Sequence, residues 1–149
     1  MKRLEWRIVD DTDLVSDCIR FISRGTVCHV EFLTSDGNTI GARSNGGVKI
    51  RPIDTFKTDL RFYCDCPDEQ YDKAWSFLTA QIGKPYDYTD IVAIMANRDW
   101  HDPSRWICSE LWVATLEAGG LIQTLHESIN RFTPEDSLIL SSAIFRSDS

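Results

Sequence analysis

Two turn sequences, Ser35-Asp36-Gly37-Asn38 and Ser44-Asn45-Gly46-Gly47, constrain this chain more than any other feature. They divide the stretch from Thr26 to Ile53 into three short segments, Thr26 to Leu33, Thr39 to Arg43 and Val48 to Ile53. Segments this short with hairpin-length connections pair as antiparallel strands, since parallel neighbours need a crossover of roughly a dozen residues or more. Leu60 to Cys64 reads as a fourth strand. On either side the apolar period changes to that of a helix. Leu14, Val15, Cys18, Ile19 and Ile22 form a stripe over Asp11 to Ser23, with Gly25 as a stop. After Pro67, which suits a first-turn position, Tyr71, Ala74, Trp75, Leu78 and Ile82 form a second stripe ended by Gly83. Ile91 to Ala96 reads as a short buried helix. A last helix runs from Ser104 or Arg105 to Ala118, with Ile107, Leu111, Ala114 and Ala118 as its core stripe and Gly119-Gly120 as its end. The tail holds Leu138-Ile139-Leu140 and ends in polar residues. The expectation is one α+β domain over residues 1–149, an antiparallel sheet packed against helices.

Charge and composition exclude several classes of function. Sixteen basic residues against twenty-three acidic ones give a net charge of −7, with no Lys/Arg cluster. That argues against a nucleic-acid backbone or an anionic membrane as the main partner. The longest apolar run, Ile91 to Ala96, is far below the roughly 20 residues of a membrane span, so no integral insertion is expected. Met1-Lys2-Arg3-Leu4-Glu5-Trp6-Arg7 has no apolar core of a signal peptide, so no signal peptide is expected and a cytoplasmic location is. The cysteines Cys18, Cys28, Cys64, Cys66 and Cys108 are odd in number, which favours reduced thiols. Cys64 and Cys66, with Cys28, offer metal ligands at a spacing unlike that of zinc ribbons, and burial is the commoner use of such thiols. No metal or organic cofactor is expected.

Cys108 falls in the first turn of the last helix, where the dipole and unsatisfied N–H groups favour a thiolate. Spacing alone favours reading it as a small buried hydrophobe. A thiol nucleophile needs a base, and His29 stands in an apolar strand with Glu31 two positions on, hence on the same face. Such a carboxylate can fix the imidazole tautomer; equally, the two can be a solvated polar face. His101 and His126 sit among polar residues and read as solvated. Trp100, Trp106, Trp112, Tyr86 and Tyr88 surround these motifs and are candidates for a pocket wall, although large aromatics are core material first.

In order along the chain come Cys28-His29-Val30-Glu31-Phe32, Gly46-Gly47-Val48-Lys49-Ile50-Arg51-Pro52, Gly83-Lys84-Pro85-Tyr86-Asp87-Tyr88 and Trp106-Ile107-Cys108-Ser109-Glu110-Leu111. This order resembles the circularly permuted papain-like hydrolases, the YiiX-like proteins and their relatives around lecithin retinol acyltransferase and the NlpC-type cell-wall amidases. Histidine first and cysteine last is the permuted order. The likeness runs from about Thr26 to Pro134. It implies a groove in which His29 faces Cys108, with Tyr86 at the position of the family's tyrosine, lining the groove or donating to an oxyanion. Trp112, one turn beyond Cys108, is a further candidate on the substrate side. Family members carry a third polar residue on the strand after the histidine. The corresponding place here is near Gly41 and Ala42, neither of which can orient an imidazole, so Glu31 is the candidate for that role. Arg43, the nearest polar residue on that next strand, is expected to oppose an imidazolium rather than stabilise it.

The resemblance implies a cysteine hydrolase, an amidase, peptidase or esterase, acting on an amide or ester such as a cell-wall peptide or a lipid. Some members of the resembled family are phage or viral products, so the resemblance also fits a phage or viral, virion-associated protein. Two other readings stand beside it: an inactive structural or assembly module on the same fold, and a metal-binding protein using Cys64, Cys66 and Cys28.

Overall fold

The computed structural model describes residues 1–10, 27, 29–87, 106–123 and 132–147. The expected helices at 11–23 and 91–96 lie outside these residues, as do Cys18, Cys28, Tyr88, Trp100, His101 and His126. The described chain forms six strands and three helices: β1 (Lys2–Val9), β2 (His29–Leu33), β3 (Asn38–Arg43), β4 (Gly47–Pro52), β5 (Asp59–Cys66), α1 (Asp68–Ala80), α2 (Cys108–Ala118), α3 (Pro134–Ile144) and β6 (Arg146–Ser147). The strands form one open antiparallel sheet in the order β4-β3-β2-β1-β5-β6, and the fold is α+β.

The four expected strands are present with small changes at their ends; β5 extends to Cys66, and β2 begins only at His29. The strand at the centre of the sheet was not among them. In β1, Leu4, Trp6 and Ile8 alternate with Arg3, Glu5 and Arg7, the period of a strand. Trp6 pairs with Phe32 on one side and Phe62 on the other. Its ring also lies edge-on to Trp112 and Phe145, at 5.6 and 4.9 Å between centroids, and its Nε1 donates to Ser141 Oγ at 3.0 Å. One tryptophan thus joins the sheet to α2 and α3.

Both long helices depart from the expected stripes. α1 ends at Ala80, Pro67 is its N-cap residue rather than a first-turn one, and Ile82 lies beyond it, exposed. α2 starts at Cys108 and is buried nearly all round, from Cys108 to Val113 and again at Thr115 and Leu116, because it packs on β2, β3, α1 and α3 together. Ala118, placed in its core stripe by sequence, is exposed, and Ala114 is half-buried. The tail forms a third helix, capped by Thr133, whose hydroxyl accepts from the Asp136 N–H at 3.2 Å. No helix among the described residues is long and apolar enough to cross a membrane.

Candidate active site

Three of the segments singled out from sequence lie side by side. Gly47 opens β4 with φ at +74°, and a Cβ there would stand 2.3 Å from the Lys84 carbonyl oxygen, so only glycine lets the two backbones meet. The Val48 N–H then donates to that oxygen at 2.9 Å, and the Gly83 N–H to the Val48 carbonyl at 2.9 Å. Two residues on, Tyr86 bridges to Trp106, with the Trp106 N–H on the Pro85 carbonyl and the Asp87 N–H on the Trp106 carbonyl. Trp106 leads directly into Ile107, the N-cap of α2, and Cys108, its first residue. Glu110 accepts from the Ile107 N–H at 3.5 Å, and Ser109 Oγ donates to the Phe132 carbonyl, which ties the helix start to the segment before α3.

His29 opens β2, and Cys108 is within its hydrogen-bonding reach. The ring Nε2 lies 2.8 Å from Glu31 Oε2. With Nε2 engaged there, Nδ1 is the nitrogen left for the thiol. Alternation along β2 turns His29 and Glu31 away from Val30 and Phe32, which sit in the main core. His29, Glu31 and Cys108 are all buried, at 5%, 1% and 2% exposure.

A buried carboxylate costs several kcal/mol unless it is paired, and Glu31 is paired three times. Oε1 accepts from Arg7 Nε at 2.9 Å, Arg7 Nη2 at 2.6 Å and Arg43 Nη2 at 2.9 Å. Oε2 accepts from Arg43 Nη2 at 3.0 Å and, at longer range, Arg43 Nε, beside the imidazole. Asp54 braces both guanidiniums from behind, at 2.6 Å from Arg7 and 2.9 Å from Arg43. Arg43, expected to oppose the imidazolium, instead grips the carboxylate that serves it. The place of the missing second-strand partner is also explained. The β2–β3 register sets Gly41 beside Glu31, and a Cβ on Gly41 would lie 2.7 Å from the Glu31 Cβ. The glutamate side chain fills the room that a residue on β3 would take.

These contacts set the protonation of the pair. Burial alone pushes the His29 pKa down, but the Glu31 carboxylate and Cys108 outweigh it and raise it to about 10. Burial pushes Glu31 up, and His29, Arg43 and Arg7 hold it well below the usual carboxylate range. The stability supplied by the raised histidine is complete below its ordinary 6.5 and is lost as the pH rises through about 10. That supplied by the depressed glutamate is present above 4.5 and is lost in acid. Chemical denaturation across pH is therefore expected to show greatest stability from about 4.5 to 6.5. In His29→Gln the loss between pH 6.5 and 10 should be much reduced; an unchanged slope would assign it to other groups.

Tyr86 is buried beside Trp106, on the Cys108 side of the fold. Trp112 is fully buried, stacked on Phe132 at 6.0 Å. Cys64 and Cys66 share a face of β5, and burial with the neighbouring Cys66 pushes the Cys64 thiol up to about 11. Among the described residues no three His, Cys, Asp or Glu side chains gather as a metal would require. Arg7 was missed because β1 was missed; its signal was the strand alternation that puts it on the face of Glu31. No protein-family model matches the chain, and no curated protein is a significant match to it.

Proposed function

We propose that the protein is a cysteine hydrolase of the permuted papain-like type, which cleaves an amide or ester, as in a cell-wall peptide or a lipid, through an acyl-Cys108 intermediate. One observation carries the reading: an imidazole in contact with a helix-start thiol, its far nitrogen held at 2.8 Å by a buried carboxylate. An ionised Glu31 can only accept, so His29 Nε2 carries a hydrogen, and the ring, charged at neutral pH, holds its second proton on Nδ1 toward Cys108 as the imidazolium of a thiolate–imidazolium pair. The Cys108 sulfur, its proton already on Nδ1, bonds to the substrate carbonyl carbon. The carbonyl electrons move to oxygen, where first-turn N–H groups of α2, which have no acceptor within the helix, stabilise the charge. The tetrahedral adduct collapses, the C–N or C–O bond breaks, and the leaving group takes the proton from His29. Water then attacks the thioester with His29 as base, the C–S bond breaks, the acid is released, and the thiolate–imidazolium pair is restored. Each step uses groups of this chain and water.

An inactive module on the same fold is the second reading, favoured by the low exposure of both Cys108 and His29. Acylation separates the two. With p-nitrophenyl acetate the hydrolase reading expects a burst of nitrophenolate and a hydroxylamine-labile acetyl group on the Cys108 peptide, absent in Cys108→Ala and much slower in His29→Gln. Iodoacetamide at neutral pH should likewise label Cys108 ahead of Cys64, although Cys64 is more exposed, because the Cys64 thiol is held protonated. Labelling of Cys64 first, with no acetyl group on Cys108, would leave the inactive module as the better account.

A further inference from the structure

We propose that Arg7 and Arg43 are positioning residues: their two forks hold the Glu31 carboxylate in the one orientation that offers Oε2 to His29 Nε2, and so decide which ring nitrogen faces Cys108. The catalytic meaning of this rests on the hydrolase reading, but the geometry and its test do not.

Arg7 is fully buried, and each of its five N–H groups has an acceptor. Nε and one Nη2 hydrogen go to Glu31 Oε1, and the other Nη2 hydrogen goes to Asp54 Oδ1. The Nη1 hydrogens go to the Asp54 carbonyl at 2.7 Å and Asp59 Oδ2 at 3.3 Å. This fork saturates Oε1 and leaves Oε2 for the histidine. Arg43 spans both oxygens, which stops the carboxylate from turning about its last bond. Phe56 lies over both guanidiniums, 5.0 Å from Arg7 and 5.7 Å from Arg43, and adds a cation–π contact to each. Among the described residues, the titratable groups acting on His29 are Glu31 from β2 and Cys108 from α2. Behind Glu31 stand Arg7 from β1, Arg43 from β3, Asp54 and Asp59, and Arg51 from β4, whose own guanidinium is bonded to the Gly41, Asn45 and Gly47 carbonyls.

A plain ion cluster that only stabilises the sheet makes a different prediction from a pair that positions. Lysine keeps the charge but replaces the planar fork by a point donor, so Arg43→Lys removes orientation and little else. Arg43 reaches toward the surface, at 17% side-chain exposure, which makes its replacement the gentler one. The readout is 15N NMR of the histidine rings in the full-length chain, with His29 assigned by its absence in His29→Gln. In wild type the ring should remain charged far above pH 6.5, and on discharge should carry its hydrogen on Nε2. In Arg43→Lys the titration midpoint should fall by about one pH unit, with the Nδ1–H tautomer appearing. Arg43→Gln should lower it further, because the freed carboxylate swings off the ring. If Arg43 acts only as a nearby charge, Arg43→Lys leaves the midpoint in place and Arg43→Gln raises it, since a cation has gone. An unmoved or raised midpoint overturns the proposal. A fall in the midpoint of a chain that never acylates at Cys108 would keep the positioning role and discard the hydrolase.

Discussion

Glu31→Ala is expected to destabilise the protein by about 3–5 kcal/mol, the usual cost of removing one partner from a buried charge cluster. Arg7 is fully buried and directs two of its donors at this carboxylate; without it they face an apolar methyl group. Asp54 stays in place but already has its oxygens on both arginines, so it has little capacity to take up the loss. His29 loses the carboxylate that keeps it charged, and its pKa should fall because burial, which lowers it, is then opposed by Cys108 alone among the described groups. Glu31→Gln keeps the volume and one acceptor oxygen, and should cost less. It still presents an amide N–H₂ to a neighbour that is itself a donor, so the imidazole tautomer should change even where the fold survives. Denaturant midpoints at pH 6 give the stabilities directly. A Glu31→Ala loss under about 1 kcal/mol would mean that the cluster behaves like an exposed ion pair.

The strands were legible because their turns are chemically explicit. Gly37 and Gly46 both have positive φ, and both stand where the sequence placed turns. β1 is hard to read from sequence because charged Arg3, Glu5 and Arg7 alternate with Leu4, Trp6 and Ile8, and Arg7 at a fully buried position looks like a surface residue. Only a partner carboxylate on the next strand makes that arginine tolerable inside, and that pairing is a long-range fact. α3 was illegible for a different reason. Ser137 and Ser141 face inward while Ile139 and Ile144 are exposed, the reverse of an amphipathic pattern. Its capping sequence, Thr133-Pro134-Glu135-Asp136, was the readable signal.

The site shows the same division. Spacing on one strand was enough to bring His29 and Glu31 together, since residues two apart share a face and here their side chains lean together. Placing Cys108 against His29 took the resemblance, because periodicity pointed to a buried hydrophobe, and the residue is in fact both buried and in contact with the imidazole. Nothing local could have shown Arg43 turning toward Glu31 rather than opposing His29. That orientation depends on Asp54, eleven residues on, and on β1, β2 and β3 lying side by side in the sheet.

Gly41→Ala is expected to cost about 1–3 kcal/mol although the residue lies in a regular strand with no unusual backbone angle. Its cause is volume. Cβ atoms on neighbouring strands normally stand about 4.5–5.5 Å apart, whereas a methyl group on Gly41 would lie 2.7 Å from the Glu31 Cβ and 3.4 Å from its Oε2. The nearest atom is the root of the side chain rather than its flexible end, so Glu31 or the strand itself must move. Movement of Glu31 breaks its contact with His29, and the midpoint of the His29 ring should fall with the stability. The two positions therefore share one space for one carboxylate, and that carboxylate can be supplied from either strand. In the exchange Glu31→Gly with Gly41→Glu the new side chain starts from β3, beside Arg43 on its own strand and opposite the place of the old one. The exchanged chain should be more stable than the sum of the two single changes by at least about 1 kcal/mol, and should regain part of the raised His29 midpoint. Simple additivity in the cycle would show that the glycine and the glutamate are independent, and that the β3 position cannot stand in for Glu31.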